Sequence, residues 1–525
     1  MKAEFEKRVA HLLGSDIRQV LQNRKVGLEK ESLRVAVDGG IAQTPHPRAL
    51  GSALTHPNIT TDYSEALIEI VTPPFNHFCE TLEFLDDTHR FVYSKLDNEI
   101  LWATSMPCVV EGDASIPIAH YGSSNAAQMK SAYRRGLGHR YGRMMQAIAG
   151  VHFNYSYPPE FWRLYGEEFG DRRELQAFAS EAYMGMIRNL QRMGWLVPYL
   201  FGASPAICAS FLGASPTSLD KWQQYSYYGP YATSLRMGDI GYQNSKEGEA
   251  GINVNYNNLE AYIDSLTYAI STPYPEYQKI AMVDNGEWQQ LNANILQIEN
   301  EYYSSVRPKQ ILDGEEKPTL ALARRGIAYL ELRSLDVNAY DPLGISEDQM
   351  RFLESFLLYS LMTPSEPYDD DEILSIRENI NAVAVRGRDP ALRLRRNGDE
   401  VRLRDWANEI FEQMAFSCEL LDKGAPNSCY VDGLGEQHAK VADADLTPSA
   451  RTLADMAEHK EEFYHFALRK SREHQQRFAE RPLEAEKLDS FEQQARASLV
   501  AQQRIEETDD IPFATFLDNY FAQAL

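Results

Sequence analysis

Apolar and polar positions alternate in four short segments of the chain, and this period of two predicts β-strands with two different faces. In residues 150–156, three large apolar side chains alternate with polar positions that include His152 and Asn154. The other three predicted strands are residues 27–35, 66–71 and 324–337. We expect each strand to turn apolar side chains to one side of a sheet and polar side chains to the other.

Apolar residues at intervals of three and four predict amphipathic helices in much of the remaining chain. These helices cover most of the first twenty residues and residues 78–95, 133–149 and 174–195. Residues 222–256 are rich in glycine and aromatic residues without clear periodicity, which is typical of loops that carry function on a rigid scaffold. Strands separated by long helices and loops predict the α+β class.

The character of the chain changes beyond about residue 350, where helical patterning dominates, most clearly in residues 449–508. An acidic segment at 367–372 and a basic segment at 386–396 are interpreted as exposed connectors. We therefore predict a core of residues 1–362 and a mainly helical C-terminal region of residues 363–525. This region is expected to pack on the core as part of one continuous unit.

Length and charge limit the classes of function. With 525 residues the chain can bury a large core, and about 150 residues per domain gives two to four structural units. A net charge of −24 and a pI near 5.0 argue against nucleic acid or an anionic membrane as a partner. The chain has no run of eighteen apolar residues, and its first residues lack the apolar core of a secretion signal. We expect a cytoplasmic protein that handles small ligands.

The cysteines predict free thiols in a reducing compartment, because they are odd in number, scattered and without a C-x-x-C pair. They are Cys79, Cys108, Cys208, Cys418 and Cys429. A disulfide framework or a structural zinc site is not expected. Cys208 lies among apolar neighbours and is interpreted as a small core residue, and no cysteine is assigned a role.

Carboxylates at strand spacing indicate a metal site. Glu29 and Glu31 stand two apart, so one face of a strand would carry both charges, which repel unless a cation lies between them. The candidate carboxylates are Glu29, Glu31, Asp62, Glu69 and Glu331. Hard cations such as Mg²⁺ take oxygen ligands and complete their shell with water and phosphate. About five carboxylates facing ATP, with a charge near −4, would need on the order of two or three Mg²⁺ ions.

Each candidate has an ordinary structural interpretation that the spacing alone leaves open. A glutamate in a strand is typical of a solvated face or a salt bridge, although apolar neighbours share the face of Glu69. His152 fits a core histidine as well as a ligand or substrate contact. Arg333 fits either an ion pair or the stabilisation of a developing phosphoryl charge. Arg236 fits either an ordinary surface charge or a residue that binds a substrate carboxylate.

The familiar nucleotide and hydrolase motifs are missing from the sequence, which contains no G-x-x-x-x-G-K-[ST], G-x-G-x-x-G, G-x-S-x-G or H-E-x-x-H. His459 and His465 are six residues apart rather than the three or four of a metal-binding helix, and we interpret them as part of a solvated face. Any nucleotide must therefore be held by metal and sheet rather than by a glycine-rich loop.

Long stretches of the sequence resemble the glutamate–cysteine ligases, specifically the proteobacterial single-chain type. The matching stretches are GLEKESLRV at 27–35, LGSALTH at 50–56, TTD at 60–62, GVHFN at 150–154, PYLFGASPAIC at 198–208, PYATSLR at 230–236, LQIENE at 296–301, RPK at 307–309 and ELRSLD at 331–336. The resemblance thins after about residue 362, where LTPSAR at 446–451 and PFA at 512–514 remain recognisable.

This resemblance implies a fold similar to that of glutamine synthetase, with an antiparallel sheet curved around the active site. Residues 1–362 would form the catalytic carboxylate–amine ligase core. The implied reaction joins the γ-carboxylate of L-glutamate to the amine of L-cysteine through a γ-glutamyl phosphate, with ATP as co-substrate. Its product, γ-glutamylcysteine, is the first intermediate of glutathione biosynthesis. The family also implies a monomer with two or three Mg²⁺ ions, for which Mn²⁺ is an alternative.

Roles for individual residues follow from the same resemblance. The implied metal ligands are Glu29, Glu31, Asp62, Glu69, His152 and Glu331. Arg333 would neutralise the transferred phosphoryl group, acting with Glu29 and Glu331 as the catalytic set. Contacts to the glutamyl substrate or its neighbour would come from Gln146, Ile148, Asn154 and Arg236. The cysteine pocket would be lined by Tyr133, Tyr242 and Tyr303, with Leu137 and Tyr63 as walls.

Three other functions are compatible with the same residues. A γ-glutamyl ligase with a different amine would prefer an acceptor without a thiol. A Mg²⁺-dependent phosphohydrolase would release phosphate from ATP with neither amino acid present. A sensor without catalysis would keep the site but show no turnover, although the presence of all six candidate ligands argues against it.

Overall fold

The computed structural model describes residues 5, 7–10, 12, 17–168, 171–213, 215–241, 253–423 and 429–524. Its largest sheet contains seven strands, and every pairing in that sheet is antiparallel. The strands are β1 (Lys25–Ala36), β2 (Ile59–Thr61), β3 (Leu67–Val71), β4 (Glu99–Leu101), β5 (Val151–Ser156), β11 (Val306–Lys309) and β12 (Tyr329–Leu335). The α+β class predicted from the element pattern and the antiparallel sheet implied by the family resemblance are therefore confirmed.

Strand β1 is the centre of this sheet. The order is β11–β12–β5–β1–β3–β2, and β4 pairs with the far end of β1. Val26 and Leu28 of β1 are completely buried, because helices cover the sheet face opposite the polar one. A long strand with partners on both sides can hold polar side chains from several strands in a defined arrangement.

Within the described residues, seven smaller strands lie outside the main sheet. They are β6 (Ala206–Cys208), β7 (Asp220–Lys221), β8 (Ser226–Tyr228), β9 (Val283–Asp284), β10 (Glu287–Trp288), β13 (Arg393–Arg396) and β14 (Asp399–Arg402). Residues 386–396, which the sequence analysis interprets as a connector, therefore contain a strand of a hairpin. Asn397 and Gly398 turn this hairpin with positive φ values of 52° and 85°, an Asn-Gly signal that marks such a turn.

Helices surround the sheet and make up most of the second half of the chain. They are α1 (Ile17–Leu21), α2 (Phe78–Lys95), α3 (Asn125–Tyr141), α4 (Pro159–Glu168), α5 (Leu175–Met193), α6 (Leu196–Phe201), α7 (Ala209–Leu212), α8 (Leu259–Ser271), α9 (Pro318–Arg325), α10 (Glu347–Met362), α11 (Asp370–Arg386), α12 (Leu403–Asp422), α13 (Cys429–Ala442), α14 (Pro448–His459), α15 (Phe463–Ala479), α16 (Ala485–Thr508) and α17 (Phe513–Ala522). Residues 5, 7–10 and 12 are also helical. The helices predicted at 78–95 and 174–195 and the helical patterning of 449–508 are confirmed.

Two predicted element boundaries are wrong for identifiable reasons. The helix expected at 133–149 begins at Asn125, where Ser124 caps it, and ends at Tyr141 before Gly142, whose φ is 81°. The strand expected from residue 324 begins at Tyr329, because α9 continues to Arg325 and Gly326 ends it with a φ of 70°. In both cases a capping residue, rather than the apolar pattern, decides where the element stops.

The C-terminal helices pack on the sheet-containing part of the chain. Ser498 of α16 accepts a hydrogen bond from the backbone N–H of Ser52 at 2.9 Å. Phe513, Leu517 and Tyr520 of α17 form a separate apolar cluster with Met129 and Ala132 of α3. Among the described residues, no helix has the length and apolar character needed to cross a membrane.

The expectation that all cysteines are free thiols is wrong. Cys108 and Cys208 form a disulfide across 100 positions of sequence, with their Cα atoms 5.4 Å apart. Both residues are buried, whereas Cys79, Cys418 and Cys429 are free. Local spacing could not reveal this pair, because the fold alone brings the segment after β4 to β6.

Candidate active site

The candidate metal ligands meet on one face of the main sheet. Glu31 of β1 lies directly opposite Glu69 of β3. Glu29, two residues earlier on β1, lies opposite His152 of β5. On the far side of β5, Glu331 of β12 is paired with Asn154. The period of two along each strand and the register between strands thus place acidic and imidazole groups in one row across four strands.

His152 lies at the centre of this row. Its Nδ1 atom is 3.0 Å from Glu29 Oε2 and 3.7 Å from Glu331 Oε1, and its Nε2 atom is 3.4 Å from Glu31 Oε1. Two sets of potential ligand atoms result, each with its members within 4.8 Å of one another. The first set is Glu29, His152 and Glu331, and the second is Glu31, Glu69 and His152.

Uncompensated negative charge characterises the second set. Burial, followed by the charges of Glu29, Asp62 and Glu31, raises the pKa of Glu69 well above its usual value. Burial and the charge of Asp62 also raise the pKa of Glu31, although His152 opposes them. A carboxylate with a raised pKa tends to take up a proton unless a cation is bound nearby.

Positive groups compensate the first set. Burial and the charge of Glu331 raise the pKa of Glu29, but the hydrogen bond with His152 and the charges of His152 and Lys309 together outweigh them, and the pKa is lowered. Burial also opposes the ionisation of Glu331, yet the charges of Lys309 and Arg333 hold its pKa well below the usual range. Arg333 Nη1 donates to Glu331 Oε1 at 2.9 Å, and Lys309 Nζ lies 3.5 Å from Glu331 Oε2.

The donor chemistry of this face fits divalent cations. Five carboxylates supply the oxygen atoms that Mg²⁺ and Mn²⁺ prefer, and one imidazole adds a nitrogen. Within the described part of the chain, Asn154 Oδ1 is buried and accepts no hydrogen bond, whereas Glu331 Oε2 has the ion pair with Lys309. Buried acceptors without donors are costly, so a ligand or ion that approaches them would be stabilised.

Gly150 connects this face with Arg236. The backbone N–H of Gly150 donates to Glu31 Oε2 at 2.6 Å. A Cβ atom at position 150 would collide with the guanidinium group of Arg236, so only glycine permits this approach. Arg236, which is 4% exposed, lies in a short 3-10 turn at Leu235–Met237. This guanidinium therefore lies at the edge of the acidic face, where its charge also favours ionisation of Glu31.

Asp62 lies beside the row but in neither set of potential ligands. Its charge raises the pKa values of Glu31 and Glu69. The backbone carbonyl of Asp62 accepts a hydrogen bond from Arg134 of α3, which holds this helix against the site.

The predicted substrate residues occupy the elements that border the acidic face. Tyr303 donates to Met237 Sδ at 3.3 Å, and Arg236 Nη1 donates to the same sulfur at 3.3 Å. Gln146 and Ile148 are buried in the turn that leads into β5.

The remaining residues predicted for the cysteine pocket lie on or against α3. Tyr133 and Leu137 lie on α3, and the buried Tyr63 hydroxyl packs against Gly138 of the same helix. Gln297 donates to the Tyr133 carbonyl at 3.1 Å. Tyr242 lies outside the described residues.

Several groups at the site were not predicted from the sequence. Lys309 lies within a stretch that carries the family resemblance, and its register next to β12 explains its proximity to Glu331. The only sign in the sequence of the contact made by the Gly150 N–H is that this residue is a glycine and has no side chain. Asp336 and Ser234 also lie within recognised stretches, but only the fold brings their side chains together, at 2.8 Å.

Comparison with known proteins gives a consistent result. The family model described as glutamate-cysteine ligase matches residues 9–383. A glutamate–cysteine ligase from Pseudomonas paraeruginosa is 49% identical over 499 residues, which cover 95% of this chain and 94% of that protein. Another from Alcanivorax borkumensis is 45% identical over 526 residues, covering 98% of this chain and 99% of that protein.

Two solved structures have a similar fold. The glutamate–cysteine ligase from Francisella tularensis, determined in complex with AMP, has a TM-score of 0.89 and 34% identity, covering 95% of this chain and 97% of that one. A bifunctional glutathione synthetase from Pasteurella multocida has a TM-score of 0.72, covering 94% of this chain and 58% of that one. Its identity of 24% supports similarity of fold alone.

Proposed function

The chain belongs to the glutamate–cysteine ligase family, and we propose from this that it joins the γ-carboxylate of L-glutamate to the amine of L-cysteine. ATP drives the reaction, and γ-glutamylcysteine, ADP and phosphate are its products. The observation that carries this proposal at the site is the row of acidic groups around His152, which has the donors for metal-bound ATP on one sheet face. The related ligase from Francisella tularensis holds AMP, which supports a nucleotide in this fold.

We assign the metal ions to the acidic face. Two or three Mg²⁺ ions, or Mn²⁺ in their place, would be held by Glu29, Glu31, Asp62, Glu69, His152 and Glu331. Bound there, divalent cations would offset the repulsion between the carboxylates and the triphosphate. The raised pKa values of Glu31 and Glu69 support this assignment, because these carboxylates lack sufficient positive charge from the protein.

Arg333 is assigned to the transferred phosphoryl group. Its Nη1 atom donates to Glu331 and lies 3.4 Å from His152 Nδ1, so the guanidinium is held against the first set of ligands. A planar cation in this position stabilises negative charge that develops as the γ-phosphate moves from ADP to the carboxylate. Lys309 adds a second positive charge at the same edge.

The two amino acids are assigned to neighbouring parts of the site. Glutamate would contact Gln146, Ile148, Asn154 and Arg236. The cysteine pocket would comprise Tyr133, Tyr242 and Tyr303, with Leu137 and Tyr63 as walls. The shared sulfur of Met237 links Tyr303 to Arg236, which would keep the two substrates adjacent.

The chemical sequence needs no nucleophile from the protein. The γ-carboxylate oxygen attacks the γ-phosphorus of ATP, and ADP leaves. The amine of cysteine then attacks the acyl carbon. The bond between this carbon and the phosphate oxygen breaks, inorganic phosphate leaves, and the nitrogen loses a proton. Exclusion of water protects the acyl phosphate from hydrolysis between these steps.

We further propose that the chain works in the cytoplasm as a monomer, with residues 1–362 as the ligase core and residues 363–525 packed on it. The cluster between α17 and α3 supports one continuous unit, because α3 carries the proposed cysteine wall. Size-exclusion chromatography with light scattering tests the oligomeric state.

The reaction is tested by incubating the protein with ATP, Mg²⁺, glutamate and cysteine and measuring γ-glutamylcysteine by mass spectrometry. We expect ADP release to require glutamate and to match product formation. Arg333→Gln should reduce kcat about 10³-fold, as expected for loss of a group that stabilises the transition state. The control Arg163→Gln changes an arginine whose side chain is 48% exposed on α4, and it should change kcat by less than about twofold.

Other outcomes would identify another function. Preference for an amine without a thiol would indicate a different γ-glutamyl ligase. Phosphate release from ATP without either amino acid would indicate a phosphohydrolase. Full activity of Arg333→Gln would contradict the role given to this residue.

A further inference from the structure

Asp336 is a buried carboxylate directly after β12, and no role has been assigned to it so far. It is 2% exposed. Its Oδ1 atom accepts a hydrogen bond from Ser234 Oγ at 2.8 Å, and its Oδ2 atom accepts one from the backbone N–H of Ala203 at 2.8 Å. The carboxylate therefore joins three separate segments of the chain: the end of β12, the turn before β6, and the turn that carries Arg236.

The cation nearest to this carboxylate is Arg236. Arg236 Nη1 lies 3.8 Å from Asp336 Oδ1, which is a charge pairing rather than a hydrogen bond. Burial raises the pKa of Asp336, and the positive charge of Arg236 is the strongest influence that lowers it. Two opposite charges removed from water interact strongly, so each restricts the position of the other.

Arg236 is also held on its other sides. Its Nη2 atom donates to the backbone carbonyl of Arg333 at 2.9 Å, and its guanidinium lies against Gly150. The other carboxylate on which its charge acts is Glu31, on the acidic face. Asp336 and Glu31 therefore both attract the Arg236 guanidinium, and of the two Asp336 has the ion pair at 3.8 Å.

We propose that Asp336 is a positioning residue that orients the Arg236 guanidinium to bind the α-carboxylate of glutamate. This inference rests on the proposed function, because it requires Arg236 to contact glutamate. Without the negative charge at position 336, the buried guanidinium turns towards Glu31. The α-carboxylate of glutamate then loses its partner, while the phosphoryl-transfer residues keep theirs.

The test is a double-mutant cycle with Asp336→Asn, Arg236→Lys and the combined variant in the full-length protein. We expect Asp336→Asn to raise the KM for glutamate about 10–100-fold, with kcat and the KM values for cysteine and ATP changed less than about threefold. In the Arg236→Lys background, the same substitution should change the KM for glutamate by less than about twofold, because the group that it positions is already altered.

Glu354→Gln is the matched control, because Glu354 is an equally buried carboxylate paired with an arginine on the other side of the sheet. It should lower the melting temperature without changing the KM for glutamate. If Asp336→Asn fails to fold, Ser234→Ala keeps the carboxylate but removes one of its restraints, and it should raise the same KM severalfold.

The outcomes separate this inference from the proposed function. An equal effect of Asp336→Asn in both backgrounds, or an effect on kcat alone, would overturn the positioning role. A raised KM for glutamate in Arg236→Lys but not in Asp336→Asn or Ser234→Ala would also overturn it, while the role of Arg236 would stand. If Arg236→Lys leaves the KM for glutamate unchanged, the substrate assignment in the proposed function is wrong.

Discussion

The two faces of the main sheet both bury charge, but they balance it differently. On the acidic face, Glu31 and Glu69 are adjacent across two strands, and the protein supplies too little positive charge to neutralise them. On the opposite face, Glu354 is completely buried but receives a hydrogen bond from Tyr155 at 2.8 Å and an ion pair from Arg24 Nε at 2.9 Å.

The face that carries Glu354, called the compensated face below, has the features of a structural network. Tyr430 of α13 also donates to Glu354, at 2.5 Å, so this carboxylate ties the start of β1 and the centre of β5 to the C-terminal helices. Every charge in the network has an opposite charge or a donor within the protein. Such a group contributes to a defined packing arrangement and needs no ligand.

The comparison shows that burial of a carboxylate does not by itself identify a functional site. What differs is whether the protein completes the electrostatic balance or leaves it to be completed by a bound ion. Substitutions on the acidic face should therefore affect activity more than stability, and those on the compensated face should do the reverse.

The largest expected effect is on the acidic face. Glu69→Gln should lower kcat/KM about 10³-fold, since it removes a proposed metal ligand. The same change should raise the melting temperature of the metal-free protein, because a neutral amide relieves repulsion from Glu31 and Glu29. Product assays and calorimetry in EDTA measure the two effects. Glu83→Gln, on the exposed surface of α2, is the control, and a lower metal-free melting temperature in Glu69→Gln would contradict this prediction.

The reverse pattern is expected on the compensated face. Glu354→Gln should reduce the free energy of unfolding by about 3 kcal/mol, because it leaves the buried Arg24 without its counter-charge. Denaturant titration measures this loss, and kcat/KM per folded molecule should remain within about twofold of the original. A large loss of kcat/KM with unchanged stability would show that the two faces do not differ as described.

Metal binding should also distinguish variants of the acidic face from variants of the compensated face. Mg²⁺ at 100 times its dissociation constant should increase the free energy of unfolding by about 2.7 kcal/mol, because the ion binds the folded chain alone. This increase should disappear in Glu69→Gln and persist in Glu354→Gln. Thermal unfolding with and without EDTA provides the measurement, and an equal increase in both variants would place the ion elsewhere.

A pH-dependent effect is expected at Lys30, which lies between Glu29 and Glu31 on β1 but points to the opposite face. Burial lowers the pKa of Lys30 to about 7, and the charge of Asp341 opposes this shift only in part. Its Nζ atom donates to Ser32 Oγ at 2.6 Å and lies 3.1 Å from His89 Nε2.

The sign of the pH effect follows from proton binding. Between pH 7 and 10 the unfolded chain keeps a proton on this lysine that the folded chain has lost, so the contribution of Lys30 to stability increases with pH by up to about 1.4 kcal/mol per unit. Below pH 7 both states are protonated, and the contribution no longer changes. Lys30→Met should remove this slope, whereas parallel stability curves for the two proteins would contradict the assignment.

Much of the fold could be predicted because its signals are local. The helix at Phe78–Lys95 and the strand around Glu29 and Glu31 appear in the sequence as clear periodicity, and the structure confirms them. The end of α3 at Tyr141 depends on one glycine with positive φ, and the hairpin at Asn397 depends on a two-residue turn. These single-residue signals decide boundaries but are overlooked when a pattern is read over ten or more positions.

In the candidate site, too, some features could be predicted from local spacing and others could not. The spacing of His152 with Asn154, and of Glu331 with Arg333, already places each pair on one side of a strand. The contacts of Gly150 with Glu31 and of Asp336 with Ser234 join positions about a hundred residues apart, and the sequence contains no local trace of them. The same reasoning explains why the disulfide between Cys108 and Cys208 was not expected.

The sequence by itself determined which side chains share a face, because the backbone of a strand alternates its side chains whatever lies next to it. It also carried the long stretches that indicate the ligase family. Only the tertiary structure decided which strands are neighbours and in what register, and hence that four carboxylates and His152 meet across four strands while Glu354 finds Arg24 on the other side. Strand order and register depend on burial and pairing between distant segments, and these interactions exist only in the folded chain.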